Sequence, residues 1–211
     1  MSFLFDLDGT LVDSADSLIR VIDKVLVDNN LHKTSREENL SYAGYGLMHM
    51  FRKTCSARLL PDHIVEELSK EMFSQYILDP ITGTKPYPNV YEVLRRLQVE
   101  GARIAVVTNK DSSPASKILS TCFPNIVFDE IYSPDMGWAP KPSQMSILDY
   151  RNRYPNETLT YLGDTEADWK TAYGVADKIF IATWGYRTRE DLISKGISES
   201  CLVDDIGQIL C

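Results

Sequence analysis

The feature that most constrains this chain is a pair of carboxylates that directly follows a short apolar run near its first residue. Residues 3–5 are apolar, and the segment Asp6-Leu7-Asp8-Gly9-Thr10 comes next. A short apolar run that ends in a turn signal is typical of a buried strand. Side chains two positions apart point to the same side of a strand, so Asp6 and Asp8 should project together from its carboxyl end. Because close acids disfavour each other's ionisation, the pair indicates cation binding, or a division of nucleophilic and acid–base chemistry.

Two ordinary explanations for this pair need to be weighed. Asp-Gly is a common turn signal, and Asp-x-Asp occurs in many surface loops. A calcium loop of the EF-hand type that began at Asp6 would need glycine at its sixth position and glutamate at its twelfth. Those positions hold Leu11 and Ser17, so the calcium loop is excluded and the simple turn is the remaining alternative.

Polar residues follow three other strand-like segments in the same way. These segments are residues 104–107, 128–132 and 159–162. The polar residues beyond them are Thr108, Asn109, Lys141, Asp164 and Asp168. Open α/β sheets bind ligands in the crevice beyond the carboxyl ends of their strands. We therefore expect these residues to converge with Asp6 and Asp8 on one site.

Each of these residues also has an ordinary structural explanation. Asp164 and Asp168 are four positions apart, which predicts one face of a helix N-terminus, where acids complement the helix dipole. Thr108 could be a plain strand-end threonine, and Lys141 a solvated loop lysine. The helix dipole explains one acid more readily than two acids beside a glycine at a strand end, which favours a functional site.

Hydrophobic periodicity divides the chain into a helical segment and a segment of alternating helices and strands. Residues 15–83 carry apolar residues at helical spacing, with helix starts at Ser35 and Pro61. From residue 84 onward, helical patterns alternate with strand patterns, which is typical of a parallel sheet with helices on both faces. The predicted fold class is α/β. It has a Rossmann-like parallel-sheet core, formed by residues 1–14 and 84–211, and an inserted all-helical cap domain at residues 15–83.

Composition narrows the range of partners. The formal net charge of −8 argues against nucleic acid and against an anionic membrane surface. No apolar run approaches the roughly 18 residues of a membrane span, and no basic leader is visible, so a cytoplasmic location is expected. The four cysteines form no CxxC pair, which argues against a zinc site. Nothing in the sequence indicates the oligomeric state.

In their order and spacing, these motifs resemble those of the haloacid dehalogenase-like hydrolase superfamily. Residues 6–14, DLDGTLVDS, look most like its phosphoglycolate phosphatase-like branch. The resemblance covers nearly the whole chain. It implies a magnesium-dependent phosphatase that hydrolyses a small phosphorylated metabolite through an aspartyl phosphate.

The resemblance also implies a role for each motif residue. Asp6 would be the nucleophile, and Asp8 the general acid and then the general base. Thr108 would contact the phosphate, and the backbone N–H of Asn109 would add a hydrogen-bond donor. Lys141 would supply a positive charge for the phosphate or for the carboxylate of Asp6. The implied magnesium ligands are Asp6, the backbone carbonyl of Asp8, and Asp164, with Asp168 acting through water.

A glycine-rich segment of the cap resembles a turn that faces the substrate in the same branch. It reads Gly44-Tyr45-Gly46 and is followed by His49. The candidate substrate-binding residues of the cap are therefore Tyr45, Gly46 and His49, with Arg52 and Lys53 nearby. Simple packing is the alternative for Tyr45, and a helix-surface position for His49. The segment 184–186, Trp-Gly-Tyr, also resembles a loop of that branch, but the sequence indicates no physical role for it.

Several other functions are compatible with parts of the pattern. A β-phosphoglucomutase-like phosphotransferase keeps both acids, and a non-catalytic phosphate-ester binding protein would keep the same fold. Asp8 argues against dehalogenases and phosphonate hydrolases, which lack this second carboxylate. A signalling receiver has its phosphorylated aspartate on a later strand and has no helical insert. Differences from the branch pattern at residues 139–140, 165 and 173–176 leave the substrate open.

Overall fold

A six-stranded parallel sheet forms the base of the fold in the computed structural model, which describes residues 1–210. The strands are β1 (Ser2–Phe5), β2 (Val12–Asp13), β3 (Lys85–Pro86), β4 (Arg103–Val107), β5 (Glu130–Tyr132), β6 (Leu159–Gly163), β7 (Lys178–Ala182) and β8 (Leu202–Val203). The sheet has the order β5-β4-β1-β6-β7-β8, and β2 pairs with β3 in a separate antiparallel ribbon. The predicted α/β class with a Rossmann-like parallel sheet is confirmed.

The helices are α1 (Ala15–Asp28), α2 (Arg36–Ser41), α3 (Leu47–Ser56), α4 (Asp62–Leu78), α5 (Val90–Val99), α6 (Ser112–Cys122), α7 (Met145–Arg153), α8 (Glu166–Ala172) and α9 (Arg189–Ser194). Short 3₁₀ helices lie at Pro134–Met136, Glu199–Cys201 and Ile206–Leu210. Helix α3 has no counterpart among the predicted helix starts. Within residues 1–210, no helix combines the length and the apolar character that a membrane crossing requires.

Strand β1 lies in the middle of the sheet and aligns the ends of its neighbours. Leu4 is in register with Ala105 of β4 and with Tyr161 of β6. Phe3 and Phe5 pack into the core on one face of the sheet, while Leu4 packs into the core on the other. Because both faces are covered, the strand is apolar at successive positions. The residues that follow β1, β4 and β6 therefore meet at one edge.

Helices α1 to α4 have an apolar core of their own. Leu18, Ile22, Phe51 and Met72 are buried in one cluster that is separate from the clusters of the sheet. The chain enters and leaves this helical unit through the paired strands β2 and β3, so the two connections lie side by side. We keep residues 15–83 as the proposed extent of the unit, which is called the cap below.

Candidate active site

A cavity of about 280 Å³ lies between the carboxyl edge of the sheet and the cap. It brings together seven of the predicted site residues, which are Asp6, Asp8, Tyr45, Gly46, Thr108, Asn109 and Lys141. Asp164 and Asp168 lie directly behind Asp6, in a buried cluster in which one carboxylate oxygen from each residue lies within 4.8 Å of the other two. His49 is not among the lining residues. Its ring packs against that of Tyr45, with 5.3 Å between the ring centroids.

The buried acids share one lysine. The Nζ of Lys141 lies 2.6 Å from Oδ1 of Asp6 and 2.7 Å from Oδ1 of Asp168, and all three side chains are almost fully buried. Burial raises the pKa of Asp6 well above its usual range, although Lys141 acts in the opposite direction. Burial and the charge of Asp168 raise the pKa of Asp164 to about 7. One lysine is therefore too little positive charge to keep three buried carboxylates ionised.

Asp164 does not share a helix face with Asp168, contrary to the prediction from their spacing. Helix α8 begins at Glu166 after the N-cap residue Thr165, so Asp164 precedes the helix. Asp168 is the third residue of the helix, and its side chain closes a capping box with Thr165. Asp164 and Asp168 still lie close together. A tight turn after β6 places Asp164 beside Asp6, and the first turn of α8 places Asp168 beside both.

Both carboxylate oxygens of Asp168 have protein partners. Oδ2 accepts hydrogen bonds from the hydroxyl of Thr165 at 2.7 Å and from its backbone N–H at 3.1 Å. Oδ1 accepts from the hydroxyl of Tyr161 at 2.8 Å and from Lys141. Burial acts to raise the pKa of Asp168, but Lys141 and these hydrogen bonds outweigh it and hold the pKa below its usual value. The side chain is thus a fixed anion that holds Lys141 in place.

The segment 184–186, for which the sequence indicated no role, holds Asp164. The backbone N–H of Tyr186 donates to Oδ2 of Asp164 at 2.8 Å. The indole N–H of Trp184 donates to the carbonyl of Thr10 at 3.1 Å, which fixes the segment against the first motif. A Cβ at Gly185 would collide with the side chain of Asp164 and the carbonyl of Gly9. Glycine is therefore required for the backbone to approach this carboxylate so closely.

Asp8 is paired with a lysine that the sequence analysis missed. The Nζ of Lys110 lies 3.1 Å from Oδ2 of Asp8, and the hydroxyl of Ser14 donates to Oδ1. Lys110 is buried and also donates to the hydroxyl of Tyr76 in the cap. Burial acts to lower the pKa of Lys110, but Asp8 and Tyr76 outweigh it and raise the pKa. The signal in the sequence was its position, directly after Thr108 and Asn109 at the end of β4.

Asn109 connects the core to both loops above it. Its Oδ1 accepts from the backbone N–H of Lys141 at 2.7 Å, and its Nδ2 donates to the carbonyls of Gly44 at 3.0 Å and Lys141 at 3.2 Å. The hydroxyl of Thr108 accepts from the backbone N–H of Lys110 at 3.1 Å, and Thr108 lines the cavity. The side chain of Asn109 is therefore used for positioning, and a substrate contact by its backbone N–H stays a prediction.

The Gly44-Tyr45-Gly46 segment lies over the cavity. Gly44 and Gly46 have φ of +100° and +90°, a backbone conformation that favours glycine. A Cβ at Gly46 would lie 2.9 Å from the carbonyl of Asn109, so the loop is pressed against the core. The hydroxyl of Tyr45 lies 3.4 Å from Oε1 of Glu166.

A buried arginine, Arg187, connects the core to the cap through hydrogen bonds. The sequence did not indicate this role. The guanidinium of Arg187 donates to the carbonyls of Leu40 and Ala43 at 2.7 Å each and to that of Ser41 at 3.2 Å. Its Nε lies 3.4 Å from Oε2 of Glu166. Residues 40–43 follow or end α2, whose last carbonyls would otherwise lack partners. The only hint in the sequence was its place next to the segment 184–186.

Comparison with known proteins assigns the family. Residues 3–179 match the family model for haloacid dehalogenase-like hydrolases. A phosphoglycolate phosphatase from Aquifex aeolicus (strain VF5) is 32% identical over 186 residues, which cover 87% of this chain and 84% of that protein. A phosphoglycolate phosphatase from Cereibacter sphaeroides (strain ATCC 17025 / ATH 2.4.3) is also 32% identical over 186 residues, covering 87% and 85%.

Solved structures share the fold at lower identity. A crystal structure described as a predicted phosphoglycolate phosphatase from Haemophilus somnus 129pt has a TM-score of 0.88 at 24% identity, covering 99% of this chain and 96% of that one. CbbY from Rhodobacter sphaeroides, in complex with phosphate, has a TM-score of 0.70 at 19% identity, covering 99% and 95%. The chain belongs to the haloacid dehalogenase-like hydrolase family, and the expected resemblance to its phosphoglycolate phosphatase-like members is confirmed.

Proposed function

We propose that this protein is a magnesium-dependent phosphatase that hydrolyses a small phosphorylated metabolite through an aspartyl phosphate on Asp6. The observation that carries the proposal is the separate pairing of Asp6 and Asp8 at one cavity. Asp6 lies against Lys141 in the buried cluster, and Asp8 faces the same cavity against Lys110. Two carboxylates in different environments are suited to different tasks, one as nucleophile and one as acid and base.

The remaining core residues meet the other needs of phosphoryl transfer. Lys141 supplies positive charge beside Asp6, where the equatorial oxygens of a phosphate would gather negative charge. Thr108 lines the same cavity, and its hydroxyl would donate to a phosphate oxygen. Asp8 would protonate the leaving oxygen and then accept a proton from the water that cleaves the aspartyl phosphate. This water would use the attack path that the leaving alcohol has vacated.

The donor set fits a hard divalent cation. Asp6 and Asp164 are buried carboxylates whose pKa values are raised. The protein alone therefore does not supply enough positive charge to stabilise both in their ionised forms. Magnesium takes oxygen ligands and is held by one or two carboxylates together with substrate phosphate. Asp6, Asp164 and the backbone carbonyl of Asp8 would hold it, and Asp168 would contribute through water. When bound, magnesium supplies charge neutralisation for the phosphate oxygens.

The relatives support a phosphatase rather than another activity of the same fold. The proteins from Aquifex aeolicus and Cereibacter sphaeroides are phosphoglycolate phosphatases. The cavity of about 280 Å³ is slightly smaller than most ligand pockets, which suits a small phosphate ester. The substrate class is therefore a small phosphorylated metabolite.

Release of inorganic phosphate tests the proposal. The purified protein is incubated with small phosphate esters, including glucose 1-phosphate, with magnesium or with EDTA. We expect phosphate release that EDTA stops and that added magnesium restores. Full activity after removal of all divalent metal would contradict the magnesium dependence. Conversion of glucose 1-phosphate to glucose 6-phosphate without phosphate release would indicate a phosphotransferase instead.

A further inference from the structure

The hydroxyl of Ser14 is used in an unusual way for its position. Ser14 is the N-cap residue of α1, and a serine at this position ordinarily accepts a hydrogen bond from a backbone N–H of the first helical turn. Within the described residues 1–210, the side chain of Ser14 makes no such capping bond. It is fully buried, and its hydroxyl donates to Oδ1 of Asp8 instead. The start of α1 therefore lacks its usual side-chain cap, and the same hydroxyl holds the proposed acid–base residue.

Tyr186 is the partner of Ser14 on the side away from Asp8. The hydroxyl of Tyr186 accepts from the backbone N–H of Ser14 at 3.2 Å and lies 2.9 Å from its Oγ. A serine hydroxyl has one proton, and that of Ser14 is directed to Asp8. The contact of 2.9 Å is therefore made with the proton of Tyr186, which a phenol keeps at neutral pH. Tyr186 donates to Ser14 and Ser14 donates to Asp8, and we call this arrangement the hydrogen-bond chain.

The hydrogen-bond chain reaches one of the two oxygens of Asp8. The other oxygen, Oδ2, lies 3.1 Å from the Nζ of Lys110. A carboxyl group has about four lone-pair sites, so these two contacts leave sites for the proton that Asp8 would transfer. The hydrogen-bond chain therefore orients Asp8 and leaves its acid–base capacity free.

Tyr186 contacts the surroundings of Asp8 with separate parts of the residue. Its backbone N–H donates to Oδ2 of Asp164 at 2.8 Å, and its ring packs against the apolar cluster of the cap. Among residues 1–210, those that line the cavity include Tyr186 and Asp8 but not Ser14. A phenylalanine at position 186 would keep the ring and the backbone N–H and would remove only the hydroxyl. The role of the hydroxyl can therefore be tested separately.

We propose that Tyr186 is a positioning residue for the acid–base step, in which its hydroxyl fixes Ser14 and Ser14 orients the carboxyl group of Asp8 toward the leaving oxygen. This inference rests on the proposed phosphatase function. In that reaction the bond from phosphorus to the alcohol oxygen breaks as the bond to Asp6 forms, and the alcohol oxygen takes the proton of Asp8. A misoriented Asp8 slows the reaction of alcohols, which leave poorly without a proton. It has little effect on acidic phenols, which leave as anions.

Tyr186→Phe tests the proposal on the full chain with magnesium and two esters of different leaving groups. For benzyl phosphate, we expect kcat/KM to fall by at least about tenfold, because small misplacements of a catalytic group have effects of this size. For 2,4-dinitrophenyl phosphate, kcat/KM should be nearly unchanged, because its phenolate leaves without a general acid. Tyr173→Phe is the matched control, since Tyr173 is 62% exposed.

The pair of esters distinguishes positioning of Asp8 from other roles. Equal falls in kcat/KM for both esters would overturn the proposal, because the hydroxyl would then act on the phosphate, on the metal or on the fold. An unchanged kcat/KM for benzyl phosphate would overturn it as well. If the wild-type protein hydrolysed neither ester, the proposed phosphatase function would fail and this inference would fail with it.

Ser14→Ala gives a second test, because it breaks the same hydrogen-bond chain at another residue. The substitution removes no capping hydrogen bond from α1. It should lower kcat/KM for benzyl phosphate and leave that for 2,4-dinitrophenyl phosphate nearly unchanged, as in Tyr186→Phe. The double variant should lose no more than the more impaired single variant, since residues in one hydrogen-bond network are not additive. Losses that multiply would mean that Tyr186 does not act through Ser14, and would overturn the proposal.

Discussion

The Nζ of Lys110 lies 3.1 Å from Oδ2 of Asp8, and both side chains face the cavity. Asp6, two residues earlier, is paired with Lys141 instead. Two acids that are close neighbours in the sequence are therefore held by different lysines from different strand ends. The hydroxyl of Ser14 also donates to Asp8, so the orientation of this carboxylate is fixed from two directions. Such fixed orientation is what a general acid needs to reach the leaving oxygen.

Removal of Lys110 should impair catalysis through Asp8. In Lys110→Met, Asp8 loses its charged partner, and we expect kcat to fall by about 10²- to 10⁴-fold, the usual contribution of general acid–base catalysis. KM should change much less, because phosphate binding by Thr108 and Lys141 is retained. Steady-state kinetics with an unactivated ester measures the effects on kcat and on KM separately. Lys70→Met is the control, since Lys70 is an exposed lysine of α4 that pairs with Glu66. An effect on KM alone would argue that Lys110 binds substrate and does not position Asp8.

Asp6→Asn should separate activity from stability. Turnover should fall by at least about a thousandfold, because the amide cannot form the aspartyl phosphate. Burial raises the pKa of Asp6, so the ionised carboxylate destabilises the folded protein at neutral pH. Without metal, the Tm of the variant at pH 7 should be higher by roughly 2–4 °C, the shift that about 1 kcal/mol produces in a protein of this size.

The pH dependence of stability tests the same prediction. An acid with a raised folded-state pKa makes the wild-type protein lose stability as pH rises from the unfolded pKa through the folded one. Asp6→Asn lacks this loss, so its advantage over wild type should shrink as pH is lowered toward 4. Thermal unfolding in EDTA between pH 4 and pH 8 measures the effect. A variant that is less stable than wild type at pH 7 would show that the contact with Lys141 outweighs the burial of the charge.

Lys141→Met should destabilise the fold more than any exposed lysine does. The substitution leaves Asp6 and Asp168 buried without their shared cation, and removing one partner of a buried ion pair costs about 3–5 kcal/mol. Lys24→Met, which removes an exposed helical pair with Asp28, should cost no more than about 0.5 kcal/mol. Urea unfolding measures the loss in free energy of unfolding for each of the two variants. Equal losses would mean that the buried acids are neutral in the folded protein and do not depend on Lys141.

The sequence was a good guide wherever a residue lies at the end of a strand. Strand patterns and their order predicted the parallel sheet, and residues at the carboxyl ends of β1, β4 and β6 meet because parallel strands in register end at one edge. Local spacing was less reliable beyond the strands. The i, i+4 relation of Asp164 and Asp168 suggested one helix face, whereas the capping box at Thr165 starts α8 after Asp164.

Contacts between distant parts of the chain could not be predicted in the same way. Arg187 binds carbonyls at residues 40–43 where the cap packs on the core, and Tyr186 binds Asp164 where two loops of the core meet. Neither contact has a sequence pattern of its own, because each joins segments that are far apart in the sequence. Lys110 is an intermediate case. It follows the predicted residues Thr108 and Asn109, but only the three-dimensional structure places Asp8 opposite its ammonium group.

Asp164 was predicted to bind metal directly and Asp168 through water, and their different contacts lead us to expect different effects of substitution, which metal titration can separate. Both oxygens of Asp168 are engaged by Thr165, Tyr161 and Lys141. Asp164 accepts from the N–H of Tyr186 on Oδ2 and, at a long 3.5 Å, from the hydroxyl of Thr10 on Oδ1. Asp164→Asn should weaken magnesium binding by at least about tenfold, since losing a direct ligand costs no less than losing an outer-shell partner. Its metal-free stability should not fall, because burial and Asp168 already disfavour the ionised form of Asp164.

Asp168→Asn is the matched comparison and should have the opposite profile. It removes the anion that holds Lys141, so the free energy of unfolding should fall by about 3–5 kcal/mol even without metal. The pH dependence of magnesium binding is expected to distinguish Asp164 from Asp168 as well. The pKa of Asp164 is about 7 without metal, so wild-type magnesium affinity should rise between pH 6 and pH 8 as this carboxyl loses its proton, and binding should release protons. Calorimetric titration in two buffers of different ionisation enthalpy measures the magnesium affinity and the number of protons released. Proton release that persists unchanged in Asp164→Asn would assign the titrating ligand to another residue.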